Sequence, residues 1–182
     1  MLEHLNIDHS WTLFLDRDGV INREKKEDYI RHWGEFEFYT ESLLALPILA
    51  RKFNKIIITT NQKGIGKGLM SNEDLAIIHD NMIQKIVSVG GRIDAIYYCP
   101  DVDNDSPNRK PQAGMAFQAK AAFPSIDLSK SVMVGNRMSD MEFGRNAGMH
   151  TIYLATTHPE APFPDNKIDD RFDHLLAFAN AL

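Results

Sequence analysis

The sequence predicts an α/β fold, a three-layer Rossmann-like parallel sheet with helices on both faces and no separate cap domain. Short apolar runs near residues 11, 55, 93, 131 and 151 are each interpreted as a buried strand. Segments with helical apolar spacing lie between these runs, and strands that alternate with helices favour a parallel sheet covered on both faces. The 182 residues are expected to form one domain, 1–182, with a sizeable core.

The elements of the first half follow from their local patterns. Strands are predicted over 11–15 and over 55–60, where the run KIIITT is apolar and β-branched. The charged segment 23–37 is expected to be an ordered loop beside the site, with its charges mostly facing solvent. A helix is predicted over 41–53, and Pro47 inside it should cause a kink or a later start.

The second half continues the alternation. Ser71 is expected to cap a helix that runs to about residue 89 and stops at two glycines. The turn-forming segment 100–111 should hold no regular structure. The remaining predicted elements are strands over 93–98, 131–134 and 151–154, helices over 115–123, from Ser139 or Asp140 to near Gly148 and over 172–182, and a loop over 156–169.

Composition and charge narrow the function classes. The formal net charge of −5 argues against nucleic acid as the main partner, so a small anionic substrate would need a local positive pocket. The single cysteine, Cys99, excludes an internal disulfide and fits a reducing compartment. No secretory signal is visible, and no apolar run approaches the ~18 residues of a membrane span. We therefore expect a cytoplasmic protein without a membrane partner.

The first chemical motif is the pair Asp16 and Asp18, which follows the first strand with one residue between them. A strand that runs directly into Asp-Arg-Asp-Gly places both acids at its carboxyl end, where open α/β sheets keep their active sites. Two ionised carboxylates so close repel each other. A divalent cation relieves this repulsion, and unequal environments let one acid stay ionised while the other holds a proton. The pair can thus supply a nucleophile and a general acid, although aspartates also simply populate turns.

The second motif, Thr59-Thr60-Asn61-Gln62, ends the second strand. Its hydroxyl and amide side chains can bind phosphate oxygens without adding charge. The following segment KGIGKG, 63–68, is basic and is expected to be a flexible loop. Its spacing matches neither a Walker A loop nor GxGxxG. An ordinary glycine-rich turn with two solvated lysines is an equally supported interpretation.

Two further motifs lie beyond later strands. Arg109-Lys110-Pro111 could hold a phosphoryl group and neutralise the nearby acids, although alone it could be a solvated pair of charges. After the fourth strand, Asn136 and Asp140 carry oxygens of the kind that Mg²⁺ prefers, although either could equally be a helix N-cap. Together the four motifs favour Mg²⁺-assisted phosphoryl transfer to a carboxylate nucleophile.

The ordered motifs DRDGVIN, TTNQ, RKP and GNRMSD resemble the haloacid dehalogenase superfamily of aspartate-nucleophile phosphatases. The resemblance extends from about Trp11 to Leu154. The stretches DRDGVIN, TNQxGI, IYYCP and RKPxxGM are similar to one branch, that of D-glycero-D-manno-heptose-1,7-bisphosphate 7-phosphatases and histidinol phosphatases. The resemblance implies a phosphoric monoester hydrolase that acts on a small phosphorylated sugar or metabolite.

The resemblance also implies roles for individual residues. Asp16 would attack phosphorus and form an aspartyl-phosphate, while Asp18 would protonate the leaving alcohol and later activate water. Mg²⁺ would lie on the Asp16 side chain, the Asp18 carbonyl oxygen and Asn136, with Asp140 helping through water. The expected phosphate ligands are Thr60 and Lys110, and the positions where this branch contacts substrate are Asn61, Gln62, Arg109 and Arg137.

Two departures from the family pattern matter. The branch usually carries an aspartate where Asn136 stands, so we expect weaker metal affinity because an amide oxygen brings no charge. Many members also hold a structural Zn²⁺ with three cysteines and a histidine before Arg-Lys-Pro. Only Cys99 is present here, and a closed zinc site needs four ligands. We therefore expect no structural zinc, with Cys99 as a small buried apolar residue.

Three functional hypotheses follow. The first is a phosphatase for a heptose bisphosphate, whose second phosphate would suit Lys63 and Lys67. The second keeps the chemistry but changes the substrate to histidinol phosphate or a nucleic-acid 3′-end, the latter disfavoured by the acidic charge. The third is a binding protein that has lost catalysis, which Asn136 suggests and the otherwise intact motifs oppose. The protein is expected to be a monomer or a weak oligomer.

Overall fold

The computed structural model describes residues 5–182, and parallel strands organise them into one six-stranded sheet. The strands are β1 (Thr12–Leu15), β2 (Lys55–Asn61), β3 (Ala95–Cys99), β4 (Ser131–Gly135), β5 (His150–Leu154) and β6 (Asp170–Phe172). Their order is β3-β2-β1-β4-β5-β6, which is a Rossmann-like arrangement. Leu15 of β1 lies beside Ile58 of β2 and Val134 of β4, so the carboxyl ends of these three strands meet at one edge.

Helices cover both faces of the sheet, as the sequence predicts. They are α1 (Thr40–Lys52), α2 (Lys63–Gly66), α3 (Asn72–Ser88), α4 (Gly114–Ala122), α5 (Met138–Ala147) and α6 (Leu175–Asn180). Leu13 and Leu15 pack with α1, α3 and α6, whereas Phe14 between them packs with α4 and α5 on the opposite face. Burial on both faces explains why the strands are apolar throughout. No helix within residues 5–182 is long and apolar enough to cross a membrane.

Several local signals are confirmed. Ser71 caps α3: its Oγ accepts from the Asp74 N–H (3.0 Å), and the Asp74 carboxylate accepts from the Ser71 N–H (2.9 Å). Gly148 ends α5 with a φ of +80°, a conformation that glycine adopts without strain. Segment 100–111 contains neither helix nor strand. These ends are predictable because each depends on a short local sequence.

Other boundaries differ from the prediction. The predicted last helix is present as α6, but its predicted bounds of 172–182 are wrong, because it spans only Leu175–Asn180. The strand β6, which was not predicted, precedes it and pairs with β5; three half-buried residues at a sheet edge carry too short a pattern to signal a strand. A later start for α1 is also wrong. The helix begins at Thr40 and includes Pro47, since burial of Leu46 and Leu49 outweighs the missing hydrogen bond.

Segment 63–68 and the start of α5 also depart from expectation. The first residues of the glycine-rich segment form the single helical turn α2 rather than a flexible loop. Gly64 in this turn is buried against Tyr29, and that packing is absent from the local sequence pattern. Helix α5 begins at Met138, with Arg137 as its N-cap, instead of at Ser139 or Asp140.

Candidate active site

The chain turns tightly where β1 ends, and this turn carries both acidic residues of the first motif. Three consecutive backbone N–H groups, of residues 20–22, donate to the Arg17 carbonyl oxygen at 2.8 to 3.3 Å. Gly19 has a φ of +86°, and the Asn136 side chain packs so closely against it that a Cβ atom would clash. The turn therefore requires glycine for two reasons, and it presents Asp16 and Asp18 at the sheet edge.

A pocket of about 480 Å³ opens at this edge. Residues from the ends of β1 and β2, from the loop after β3 and from the start of α5 line it. Segment 23–37 contributes a further wall of mostly charged residues. Every predicted site residue lines the pocket except Asn136, which is fully buried behind Gly19: the lining set is Asp16, Asp18, Thr60, Asn61, Gln62, Arg109, Lys110, Arg137 and Asp140.

Lys110 lies on the floor of the pocket between two carboxylates. Its Nζ is 2.9 Å from Asp16 Oδ1 and 2.7 Å from Asp140 Oδ1, and it donates to the Thr59 carbonyl oxygen at 2.9 Å. An ammonium group has three protons to donate, so these three oxygens satisfy it. Such a buried charge is tolerated only when it is paired, and here the pairing also fixes the position of Asp16.

The two acids of the first motif have different electrostatic surroundings. Burial raises the pKa of Asp16 to about 7; Lys110 opposes this rise, while Asp140 and Asp18 add to it. Burial also disfavours the charge on Asp18, but Arg17 and hydrogen bonds from Asn22 and Gln62 prevail and lower its pKa. The two environments are unequal, as expected: burial raises the pKa of Asp16, whereas the Arg17 guanidinium and two hydrogen bonds lower the pKa of Asp18. A cation beside Asp16 would favour its ionised form, which a nucleophile needs.

The two amides after β2 are engaged with protein groups. Asn61 Nδ2 donates to the Lys110 carbonyl oxygen at 3.1 Å, and the Lys110 N–H donates to Asn61 Oδ1 at 3.0 Å. These bonds tie the loop that carries Lys110 to the end of β2. Gln62 Nε2 donates to Asp18 Oδ2 at 3.0 Å and to Thr60 Oγ1 at 2.9 Å. Direct contact of either amide with substrate stays a prediction, and in this structure both hold neighbouring site residues.

The two arginines lie at the rim of the pocket. Arg109 donates to Asn104 Oδ1 and to the Asp101 carbonyl oxygen, both at 3.3 Å. Arg137 Nη2 donates to Glu24 Oε2 at 3.0 Å. Because both guanidinium groups keep solvent-facing surface, they can meet a charged substrate as it enters.

Cys99 anchors the base of the loop that carries Arg109. It is fully buried in the core between the sheet, α4 and α5, which confirms its interpretation as a small apolar residue. Its Sγ lies 3.9 Å from Ser106 Oγ, and that hydroxyl also donates to the Asp101 carboxylate. These contacts of Cys99 and Ser106 help to hold the loop. Among residues 5–182, no group of three or more His, Cys, Asp or Glu side chains is arranged to bind a metal ion.

The residues around Asn136 fit a magnesium ion. Asn136 Nδ2 donates to Thr157 Oγ1 at 2.6 Å and lies 3.4 Å from Glu24 Oε2, which fixes the orientation of the amide. Asn136 Oδ1 is then buried with no hydrogen-bond partner among the described residues. An unpaired buried carbonyl oxygen is unfavourable, and it is a ligand that Mg²⁺ accepts. A magnesium ion bound here would need the Asp16 carboxylate together with amide and backbone oxygens.

Asp140 is less available as a direct metal ligand. Its Oδ1 contacts Lys110 Nζ, and its Oδ2 accepts from the Arg137 N–H at 3.0 Å. Both oxygens therefore already have partners, which favours the expected contact through water over direct coordination.

Four residues of the site were missed in the sequence. Glu24 was expected to be solvated, but only 14% of its side chain is exposed and it binds Arg137. Arg17 and His79 form a buried network behind Asp18. Thr157 belongs to a loop that gave no functional signal. The one signal in the sequence for this network is the position of Arg17, a cation between the two acids of the first motif.

The fold and the arrangement of the site residues together indicate the class of enzyme to which the protein belongs. A Rossmann-like sheet whose central strand ends in two aspartates one residue apart, with a buried lysine beside the first, is the architecture of haloacid dehalogenase-like hydrolases. A family model described as "HAD-hyrolase-like" (haloacid dehalogenase-like hydrolases) matches residues 107–173.

Relatives along nearly the whole chain narrow the class further. The D-glycero-alpha-D-manno-heptose-1,7-bisphosphate 7-phosphatase of Mycobacterium tuberculosis (strain ATCC 25618 / H37Rv) is 35% identical over 175 residues, which cover 96% of this chain and 92% of that protein. The protein of the same name from Campylobacter jejuni is 39% identical over 143 residues, covering 78% of this chain and 80% of that protein.

A solved structure agrees with these relatives. The D,D-heptose 1.7-bisphosphate phosphatase from B. bronchiseptica, complexed with magnesium and phosphate, has a TM-score of 0.85 and 26% identity, covering 94% of this chain and 97% of its own. The chain therefore belongs to the haloacid dehalogenase-like hydrolase family, among its heptose-bisphosphate phosphatase relatives. It is a phosphoric monoester hydrolase, and the resemblance seen in the motifs is confirmed.

Proposed function

We propose that this protein is an Mg²⁺-dependent phosphatase that hydrolyses a small sugar phosphate through an aspartyl-phosphate, with D-glycero-D-manno-heptose 1,7-bisphosphate as the favoured substrate. The observation that carries the chemistry is the floor of the pocket, where Lys110 Nζ lies 2.9 Å from Asp16 Oδ1. A phosphoryl group placed above this pair would meet a carboxylate nucleophile and a cation together. The substrate is inferred from the relatives that carry this activity in their names.

In the first step, a carboxylate oxygen of Asp16 attacks phosphorus, and the bond between phosphorus and the ester oxygen breaks. Asp18 gives its proton to the leaving oxygen, so that an alcohol departs instead of an alkoxide. The negative charge of the bound ester opposes the effect of Arg17 on the pKa of Asp18 and favours the protonated form that this step needs. In the second step, water attacks the aspartyl-phosphate, Asp18 takes its proton, and phosphate leaves. The Thr60 hydroxyl donates to a phosphoryl oxygen throughout. Lys110 donates to another once the proton that now faces Asp16 Oδ1 turns to the phosphoryl group, and its charge offsets the repulsion between that group and Asp16.

The metal ligands in this scheme are the Asp16 carboxylate, the Asp18 carbonyl oxygen and Asn136 Oδ1. When bound there, Mg²⁺ supplies positive charge that reduces the repulsion between the phosphate and its carboxylate nucleophile. Thr157 supports the site because it accepts the Asn136 Nδ2 proton and leaves the amide oxygen free. Since this amide carries no charge, we expect weaker affinity than an aspartate would give.

The rim is suited to a substrate with a second anionic group. Lys63, the first residue of α2, lines the pocket, whereas the Lys67 ammonium lies over the Tyr29 ring, 5.2 Å from its centroid. Lys63 is therefore the better placed of the two lysines for a second phosphate. Lys25, Arg109 and Arg137 also line the opening, where Lys25 is paired with Glu35 and Arg137 with Glu24. The pocket wall carries carboxylates as well, so an anionic substrate would be bound by these individual cations and not by a net positive charge of the pocket.

Phosphate release from a panel of esters, with and without Mg²⁺, tests this function. The panel contains both anomers of the heptose bisphosphate, histidinol phosphate, a 3′-phosphorylated DNA end and p-nitrophenyl phosphate, with Asp16→Asn as the control. We expect one heptose bisphosphate to be turned over far faster than the others, only with metal and not by the control. If histidinol phosphate or the DNA end is hydrolysed as fast or faster, the proposed substrate is wrong. If turnover does not require metal, the proposed mechanism is wrong.

A further inference from the structure

Arg17 is a fully buried arginine between the two catalytic aspartates of the proposed mechanism. Its Nη2 donates to both oxygens of Asp18 at 3.0 Å, and its Nε donates to Asp18 Oδ1 at 3.3 Å. A guanidinium group removed from water is strongly destabilising unless its protons and its charge are paired. The pairing of Arg17 with Asp18 therefore restricts both side chains to one arrangement.

His79 of α3 holds the other side of the guanidinium group. Arg17 Nη1 lies 3.2 Å from His79 Nε2. Arginine can only donate, so Nε2 accepts and the proton of the neutral imidazole lies on Nδ1. The His79 ring packs edge-on against Tyr98, with 6.2 Å between the ring centroids, and the Arg17 guanidinium lies 5.9 Å from the centroid of Phe36. Rings on both sides thus fix the plane of this contact.

Gln62 and Asn22 complete the cage around the Asp18 carboxylate. Gln62 Oε1 accepts from Arg17 Nη2 at 3.3 Å, while its Nε2 donates to Asp18 Oδ2 at 3.0 Å. Asn22 Nδ2 donates to Asp18 Oδ1 at 2.9 Å. The Asp18 side chain keeps 26% of its surface exposed, and it faces the pocket, whereas neither Arg17 nor His79 lines that pocket.

We propose that Arg17 and His79 are positioning residues for Asp18, which fix its carboxylate where it meets the leaving oxygen of the substrate. The inference rests on the proposed function, because Asp18 must be the proton donor. The proton passes from Asp18 to the ester oxygen, which keeps the electron pair of the broken bond to phosphorus. Arg17 and His79 take no part in this transfer, and they act only through the position of Asp18.

If the Asp18 carboxylate is no longer held in position, the rate of hydrolysis should therefore fall by an amount that depends on the leaving group of the ester. A sugar alkoxide is a poor leaving group and depends on the proton, whereas p-nitrophenolate leaves readily without it. A positioned general acid contributes about 10² to 10⁴-fold to rate. If only the position of Asp18 is disturbed, most of this rate enhancement should be lost on the sugar ester and little of it on the aryl ester. General damage to the fold would lower both rates alike.

The test compares His79→Leu, which removes the acceptor, with His79→Gln, whose amide oxygen can replace Nε2. Ile77→Ala, on the exposed face of the same helix, controls for changes to α3. For each full-length protein with saturating Mg²⁺, kcat/KM is measured on the heptose bisphosphate and on p-nitrophenyl phosphate. This constant reports the steps up to departure of the alcohol. The inhibition constant of inorganic phosphate reports the phosphoryl site separately.

We expect His79→Leu to lower kcat/KM at least about tenfold on the sugar ester and less than about threefold on the aryl ester. Phosphate inhibition should be unchanged, because His79 does not contact the phosphoryl site. His79→Gln should restore the ratio of the two constants toward that of the wild type, and Ile77→Ala should not change it. Equal losses on both esters, no loss on either, or failure of His79→Gln to restore the ratio would overturn the inference.

Circular dichroism and thermal melting check that each variant folds. If His79→Leu does not fold, Arg17→Lys takes its place, because lysine keeps the charge but cannot bind both Asp18 oxygens at once. The same shift toward the aryl ester is expected, and an unchanged ratio contradicts the inference. If the wild type hydrolyses neither ester, the proposed function fails and the inference falls with it. If it hydrolyses both and the ratio never moves, the inference alone fails.

Discussion

The floor and the rim of the pocket use charged residues in opposite ways. On the floor, the Lys110 side chain is 2% exposed and its ammonium lies between the carboxylates of Asp16 and Asp140. On the rim, the adjacent Arg109 is partly exposed and makes two hydrogen bonds of 3.3 Å. Neighbours in sequence thus have different physical roles, which depend on their access to water.

This difference indicates that residues on the floor carry out the reaction and that residues on the rim select the substrate. Buried charges interact strongly and must be paired, so a change on the floor alters several groups at once. Exposed charges are screened by water and salt, so the rim can change one residue at a time. We therefore expect substitutions on the floor to alter the reaction, and substitutions on the rim to alter mainly which ester is accepted.

The largest effect is expected for Asp16→Asn on the floor. Loss of the nucleophile should lower kcat by at least about 10³-fold on every ester. Stability above pH 7 should not fall, because burial raises the pKa of Asp16 to about 7 and the neutral amide avoids ionising a buried acid. Steady-state kinetics and thermal melting at pH 8 check both parts. Substantial residual turnover would show that the reaction centre lies elsewhere.

Lys110→Met and Arg109→Met compare floor and rim directly. Lys110→Met leaves two buried carboxylates without their cation, so a loss of about 3–5 kcal/mol in unfolding free energy is expected, with a large loss of kcat. Arg109→Met should change stability by less than about 0.5 kcal/mol and should act mainly on KM. Urea unfolding and steady-state kinetics give both quantities. Similar stability losses in the two variants would contradict the division into floor and rim.

A smaller effect is expected at the metal site. Asn136→Asp should tighten Mg²⁺ binding because it adds a charge, whereas Thr157→Val should weaken it about tenfold because only the longer contact with Glu24 then orients the amide. Thr157→Ser keeps the hydroxyl and serves as the matched control. The shift of thermal melting with Mg²⁺ concentration measures affinity without any substrate. Unchanged affinity in Thr157→Val would show that Thr157 does not support the metal ligand.

At neutral pH the smallest effect on stability is expected in the network behind the floor, because the titration of His79 contributes only at lower pH. Burial, helped by the charge of Arg17 and opposed by Asp18, lowers the pKa of His79 from 6.5 to about 3. Between these values the unfolded chain binds the proton and the folded one does not, so stability falls as the pH drops from about 6.5 toward 3. This contribution can reach about 1.4 kcal/mol per pH unit.

His79→Gln lacks this proton and isolates the contribution. Unfolding free energies in urea at pH 7 and pH 5 should differ less for His79→Gln than for the wild type, since the other titrating groups are common to both proteins. An identical pH dependence would show that burial beside Arg17 does not hold His79 in its neutral form.

Much of the fold was predictable because its signals are local. The apolar runs gave five of the six strands, and Ser71 and Gly148 marked helix ends through their own side chain or backbone freedom. β6 was missed because its three residues are stabilised by pairing with β5 rather than by their own pattern. The turn α2 was missed for the same kind of reason, since Gly64 is buried by contact with Tyr29.

The site residues also fall into those that the sequence indicated and those that it did not. Motifs at the strand ends indicated Asp16, Asp18, Thr60 and Lys110, because parallel strands bring their carboxyl ends to one edge. The partners of these residues came from distant segments. Glu24 lies in a charged loop and Thr157 in an irregular one, and no spacing in either segment links them to Asn136.

The sequence by itself determined the parallel α/β architecture, the two acids at the end of the first strand, and the family to which the chain belongs. These features depend on residue type and on short-range order, which a linear chain displays directly. Only the tertiary structure decided which charges are paired: Lys110 with Asp16 and Asp140, and Arg17 with Asp18 and His79. The physical reason is that pairing and burial depend on distance in space, and folding brings together residues that are far apart in the chain, such as Glu24 and Asn136, which are separated by 112 positions.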